Sequence, residues 1–236
     1  MGLALVVLFI GAFILVRRQQ SRARRERERL SVFLSPSVVR QVLDHQVDLQ
    51  AGLKEVSVIF IDLRRFTEIS EKLGAEDTSA LLRDFYEICT DLIFKFGGTV
   101  DKYIGDSVMA FFGAPDALEN HASQSVKCAQ AILGKIAKGM EKWNFDEPVS
   151  CGISIATGTS MVGPIGVKSK TDYTVIGPIV NLASRMEGLN NRYSSKLIIS
   201  DVTRLELDAD APFEHVGPIA IRGIRDPQII HIYKMS

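Results

Sequence analysis

Residues 99–112 read TVDKYIGDSVMAFF. Two six-residue runs, 99–104 and 107–112, place β-branched and aromatic side chains on either side of Gly105-Asp106. The loop of a tight hairpin needs positive backbone angles, which Gly supplies freely and Asp tolerates, so the stretch predicts a β-hairpin. Upstream, Leu81, Leu82, Phe85, Ile88, Leu92 and Phe96 recur at helical spacing and predict a helix over 77–96, stopped by Gly97-Gly98. Before it, residues 55–62 (EVSVIFID) form a nearly continuous apolar, β-branched run, the pattern of a buried central strand, and end in Asp62. Downstream, the pattern predicts a helix over about 119–140, a strand over 149–157 and a helix over 179–192. From Lys196 onward, short strands alternate with one brief helix. Ser35-Pro36-Ser37 opens a short helix through Leu43, with Pro in the first turn.

Strand, helix, hairpin, helix, strand is the order of a ferredoxin-like split βαβ sheet. The expected class is therefore α+β, with helices on one face and additional strands and helices at the C-terminal end. Composition is consistent with this: 46 % of the 236 residues are hydrophobic, enough for a packed core and too many for a disordered chain. The 28 Lys and Arg balance 28 Asp and Glu, which argues against nucleic acid as the main partner. Three scattered cysteines without a CxxC pair, and four scattered histidines, argue against a disulfide scaffold and a zinc site and fit a reducing compartment.

The neutral total conceals an uneven distribution. Residues 17–29 hold seven Arg and two Glu, a net of +5, so the remainder nets −5. Just before them, residues 3–16 are apolar apart from Gly11. A spanning helix needs roughly 20 such residues, so this run is about a turn short. A signal peptide places its basic residues first, whereas here they follow. The expectation is a transmembrane helix over 1–16, truncated or complete, with the C-terminal side in the cytoplasm by the positive-inside rule. The expected location is therefore a cell membrane, with the rest of the chain on its inner side. Residues 17–32 are read as a basic juxtamembrane helix or linker. It either meets anionic lipid head groups or pairs with its copy to transmit motion.

In a split βαβ sheet the strand ending in Asp62 and the hairpin holding Asp106 are neighbours, so both carboxylates reach one edge. Close carboxylates repel unless a cation lies between them. Mg²⁺ held by one or two carboxylates plus substrate phosphates is a usual arrangement in phosphoryl chemistry. Taken singly, a strand cap explains Asp62 and a turn former explains Asp106. Residues 63–67 (LRRFT) lead into a helix whose first N–H groups can cradle phosphate. No GxxxxGK[ST] sequence occurs, which excludes a P-loop NTPase. Asn181 and Arg185, spaced i, i+4, share a helix face, and an amide beside a guanidinium suits a sugar–phosphate ligand. Without its flanking sequence, an exposed polar pair would be the default reading.

Three ordered stretches, FIDLRRFTEIS, GGTVDKYIGDSVMAFFGAP and DYTVIGPIVNLASRMEGL, resemble the class III nucleotidyl cyclases over roughly residues 33–233. The resemblance implies a catalytic domain that makes a cyclic nucleotide at a homodimer interface, with Mg²⁺ or Mn²⁺, two per site. It implies a metal-binding set of Asp62, Leu63 and Asp106. Lys102 falls where adenylyl cyclases keep a lysine that contacts adenine N1 and guanylyl cyclases usually carry glutamate. Asn181 and Arg185 match the pair that orients the ribose and stabilises charge on the transferring phosphate. Phe66 and Thr67 fall in the phosphate-facing segment. Arg222 and Arg225 are both candidates for a late basic residue on the terminal phosphates.

The second base-contacting position is Thr174 rather than aspartate, which is similar to a prokaryotic adenylyl cyclase subgroup often described as bicarbonate-responsive. The resemblance thus implies ATP conversion to 3′,5′-cyclic AMP and pyrophosphate. Asp62 and Asp106 would come from one protomer and Lys102, Thr174, Asn181 and Arg185 from the other. Guanylyl cyclase and an inactive ATP-binding or dimerisation module are the alternatives. Diguanylate cyclases, with their glycine-glycine-acid-acid-phenylalanine turn, are set aside because this hairpin reads Ile104-Gly105-Asp106-Ser107.

Overall fold

The computed structural model describes residue 17, residues 35–43 and residues 50–234. The chain divides into two units at residues 48 and 49. Within the first, α1 (Pro36–Leu43) starts at the Pro that the sequence places in its first turn. The expected span over 1–16 and most of the basic segment lie outside the described residues. No helix among the described residues is long and apolar enough to cross a membrane.

The second unit is built on an eight-stranded sheet. It runs β1 (Gly52–Leu63), α2 (Phe66–Lys72), α3 (Ala75–Lys95), β2 (Thr99–Ile104), β3 (Ser107–Phe112), α4 (His121–Gly139), β4 (Cys151–Val167) and β5 (Lys170–Ile176). It continues with α5 (Pro178–Glu187), α6 (Leu189–Arg192), β6 (Leu197–Ser200), α7 (Asp201–Leu205), β7 (Phe213–Ile219) and β8 (Gln228–Tyr233). The strand order is β2-β3-β1-β4-β6-β8-β7, with β5 paired to β4. The first four positions are the split βαβ arrangement, with β1 antiparallel to both β3 and β4.

Because β1 is apolar at odd and even positions alike, both of its faces must be covered. Ile59, Ile61 and Leu63 pack with Leu81, Phe85, Cys89 and Ile93 of α3 and Val126, Ala129, Ile132 and Ile136 of α4. Val56, Val58 and Phe60 point the other way and meet Ala183 of α5 with Met109, Phe111, Ala156 and Val162. Helices therefore lie on both faces, which corrects the one-face expectation; the even-numbered residues of β1 would otherwise face water. At roughly 25 cal/mol per Å², losing either cover would cost several kcal/mol. Cys89, Cys128 and Cys151 are buried free thiols, and desolvation raises the thiol pKa of Cys128 and Cys151 to about 12.

Two further differences from the sequence reading bear on the site. The strand expected over 149–157 continues to Val167 and turns back as β5, a pairing not read in the sequence. Gly163 lies opposite Thr174 in that ladder with φ +151°, and an added Cβ would sit 2.5 Å from the Ala51 Cα, so only glycine fits there. The helix expected over 179–192 is broken at Gly188 into α5 and α6.

Candidate active site

The carboxylate end of the site follows from strand register. Asp62 pairs with Ser107 of β3 on one side and Gly152 of β4 on the other. The Leu63 N–H donates to the Asp106 carbonyl at 3.2 Å, and the Ser107 hydroxyl donates to Asp62 Oδ1. Backbone and side chain thus lock the strand end to the hairpin turn and bring the two aspartates together. Gly105 adopts φ +61° in that turn, and its carbonyl accepts from the Tyr86 hydroxyl of α3. Tyr86 stacks on Tyr103 with ring centroids 4.2 Å apart, which props the hairpin against the helix.

Burial raises the Asp62 pKa and the Asp106 charge adds to the rise, while the Ser107 hydrogen bond and Arg64 oppose it. A third carboxylate lies nearby at the end of α5. The pKa of Glu187 is raised to about 7, first by burial and then by the Asp62 charge, with Arg64 opposing. Arg64 Nη2 lies 3.3 Å from Glu187 Oε1, and Arg64 Nη1 donates to Asn191 Oδ1 at 2.9 Å. This cluster occupies the space over Gly152, where an added Cβ would fall 1.9 Å from Arg64 Nη2 and 2.5 Å from Glu187 Oε1.

These oxygens suit a hard divalent cation, since Asp62 is held where its ionised form needs a compensating positive charge. Among the described residues no three His, Cys, Asp or Glu side chains form a complete metal cage. Further ligands would have to come from phosphate and water, as Mg²⁺ commonly takes them.

The second group lies on β2 and β5. Lys102 Nζ donates to Thr174 Oγ1 at 3.1 Å, and Thr174 is buried. Asp101, adjacent in sequence, has a side chain that is 0 % exposed. It pairs with the Lys102 ammonium through Oδ1 and accepts from Thr174 Oγ1 through Oδ2 at 2.6 Å. Asn181 and Arg185 are exposed on α5. Asn181 lines an open cleft of about 640 Å³ with Gly177, Gly223, Arg225 and Gln228. Arg185 lies against Gly223, where an added Cβ would fall 2.1 Å from its Nη1. Of the two late arginines, Arg225 lines this cleft with Asn181, whereas Arg222 is exposed and does not line it.

Phe66 opens α2 and is packed against the main core, and Thr67 beside it is exposed. A larger open groove of about 1100 Å³ runs along α3 past Leu73, Leu82 and Tyr86. It includes neither aspartate, so donor chemistry outweighs size in locating the site. Sequence reading missed Asp101, Ser107, Glu187 and Asn191. Only Ser107, directly after the Gly-Asp turn, left a local signal.

Residues 50–235 match the family described as the adenylate and guanylate cyclase catalytic domain, and the chain belongs to that family. Adenylate cyclase 1 of Rhizobium meliloti is 29 % identical over 211 residues, covering 86 % of this chain and 31 % of that protein. The crystal structure of the adenylyl cyclase CyaB from P. aeruginosa is similar with a TM-score of 0.73 and 33 % identity, over 80 % of this chain and 97 % of that one. That of the guanylyl cyclase Cya2 has a TM-score of 0.67 and 29 % identity, over 77 % and 92 %. The matches cover about a third of the length of the curated relatives: 31 %, 30 % and 36 % of the first three.

Proposed function

We propose that this chain converts ATP to 3′,5′-cyclic AMP and pyrophosphate at composite sites between two copies of itself. The observation that carries this reading is the hydrogen bond between Lys102 and Thr174, residues 72 apart in sequence. It joins two side chains suited to a purine edge, in a domain whose carboxylate pair suits phosphoryl chemistry. Lysine at position 102, rather than glutamate, favours adenine over guanine, as do the adenylyl cyclase relatives.

In the proposed reaction the ribose 3′-oxygen attacks the α-phosphorus, forming the ring bond as the bond to pyrophosphate breaks and the 3′-hydroxyl proton passes to solvent water. Lys102 and Thr174 hold the base, while Asn181 orients the ribose. Arg185 offsets charge developing on the α-phosphate, a role suited to a fixed, always-charged fork. Asp62, Leu63 and Asp106 would hold two divalent cations, Mg²⁺ or Mn²⁺, which when bound lower the 3′-hydroxyl pKa and neutralise the phosphates. The segment at Phe66 and Thr67 faces the phosphates, and Arg225, which shares the cleft with Asn181, is the better placed late arginine for their terminal end.

In a symmetric pair, Asp62 and Asp106 of one protomer complete a site with Lys102, Thr174, Asn181 and Arg185 of the other, giving two sites. Residues 3–16 with the arginines that follow are read as a membrane anchor, leaving the catalytic domain on the cytoplasmic side. The test is cyclic nucleotide formation by the purified chain, with Mn²⁺ and then Mg²⁺, from ATP and from GTP. The expected product is cyclic AMP; cyclic GMP as the main product, or no product with either cation, would contradict the reading.

A further inference from the structure

We propose that Asp101 is a specificity-positioning residue, which accepts the hydrogen bond of the Thr174 hydroxyl and so presents that hydroxyl to the base only as an acceptor. The inference rests on the reading of Lys102 and Thr174 as the base-facing pair. Successive residues of a regular strand point to opposite faces, so Asp101 and Lys102 should not reach the same partner. They do so here because β2 is irregular between Val100 and Lys102: Val100 pairs with Ala110, Lys102 with Met109, and Asp101 is the extra residue between them. A bulge of this kind bends the strand and re-aims a side chain. It turns the Asp101 carboxylate, 0 % exposed, onto β5. There Oδ2 accepts from the Thr174 hydroxyl at 2.6 Å and from the Val175 N–H at 3.3 Å, while Oδ1 faces the Lys102 ammonium.

A hydroxyl has one proton and two lone pairs. The Thr174 hydroxyl donates its one hydrogen bond to Asp101, and one lone pair accepts from Lys102 at 3.1 Å. What remains for a ligand is a lone pair. Adenine presents a donor at its 6-amino group, which that lone pair can accept. Guanine presents an acceptor, O6, and the two lone pairs would repel. The Lys102 ammonium, all donor, likewise suits the adenine N1 acceptor and opposes the guanine N1–H. Free threonine could donate or accept and would discriminate poorly; the buried carboxylate removes that choice. A site that leaves a buried polar group unpaired rejects the wrong ligand strongly.

The experiment measures binding of 3′-deoxy-ATP and 3′-deoxy-GTP, which lack the attacking hydroxyl, to the full chain with Mn²⁺, alongside turnover of ATP and GTP. Asp101→Asn preserves shape but replaces one acceptor oxygen by a donor, allowing Thr174 to turn its proton toward the base. The expected result is a fall of roughly 10-fold or more in the preference for 3′-deoxy-ATP, chiefly through a gain by 3′-deoxy-GTP. A variant that weakens both nucleotides equally would show a merely structural role and overturn the inference. Thr174→Val removes the hydroxyl while keeping Asp101, so it must lose the same preference, and adding Asp101→Asn to it must change the preference no further. Should Asp101→Asn fail to fold by circular dichroism, an unchanged preference in Thr174→Val overturns the inference by itself. Wild-type chain that prefers 3′-deoxy-ATP, loses that preference in Asp101→Asn, yet makes no cyclic AMP contradicts the proposed activity and leaves the role of Asp101 supported. Wild-type chain with no preference between the analogues overturns it.

Discussion

The two ends of the candidate site handle charge in opposite ways. At the carboxylate end, Glu187 pairs with Arg64, and burial first, with neighbouring carboxylate charge adding to it, raises the pKa of Asp62 and of Glu187. At the base end, one carboxylate, Asp101, meets one ammonium, Lys102, and the Thr174 hydroxyl bridges them. On the proposed reading, the first arrangement is completed by a cation brought with the substrate. The second is complete in itself and set before any ligand arrives. The proposed function thereby separates chemistry from selectivity, and substitutions should affect one without the other.

The largest expected effect is at the carboxylate end. Asp106→Ala should lower cyclase activity by roughly 10³-fold or more, the scale on which fixed charge acts in a transition state. Its fold should persist, because the hydrogen bond to Leu63 uses the Asp106 backbone carbonyl. An activity assay paired with thermal unfolding checks both, and near-normal turnover would remove Asp106 from the site. Next comes the base end: Lys102→Glu with Thr174→Cys should shift the ratio of kcat/KM for ATP to that for GTP by roughly 10²-fold toward GTP. Metal dependence should be unchanged. A ratio that stays put would break the separation of the two ends.

Gly152→Ala tests how the carboxylate end is supported. Its new methyl must displace the Arg64 guanidinium and Glu187. An activity loss of about 10-fold is expected, with the ATP-to-GTP ratio intact, because such a displacement moves the cation-binding edge and leaves β2 and β5 alone.

The smallest effect is one of stability. Folded Glu187 titrates at about 7 against an ordinary 4.5, so between these values the folded chain holds a proton that the unfolded chain has released. Stability must then fall as pH rises through that window. With divalent cations removed by EDTA, Glu187→Gln should flatten this part of the pH–stability curve. A slope identical to wild type would show that Glu187 is not the group responsible.

Local rules made β1, the 99–112 hairpin and the Asp62–Asp106 pairing legible in the sequence, because strand periodicity and turn chemistry act over a few residues. The β4–β5 hairpin was not legible. The strand expected over 149–157 stops where Gly158, Gly163, Pro164 and Gly166 interrupt the β-branched pattern, and only pairing with β1 and β5 makes that segment a strand. The second covered face of β1 was implicit in its unbroken apolar run, but the identity of the covering helix depended on a tertiary contact. Asp101 was hidden for a sharper reason. Strand alternation places it opposite Lys102, and the bulge that reverses this leaves no mark in composition or spacing. The Arg64–Glu187 pair spans too much sequence for any local pattern to reveal.

The most direct test of the division between the two ends is complementation by mixing. Asp106→Ala and Arg185→Ala chains, each inactive alone, are combined in equal amounts, allowed to exchange subunits, and assayed for cyclic AMP formation from ATP. If one protomer supplies the carboxylates and the other the arginine, half of the pairs are mixed and each has one intact site of two. Activity should return to about a quarter of the wild-type level. No recovery in a mixture shown to contain the mixed dimer would contradict the composite site.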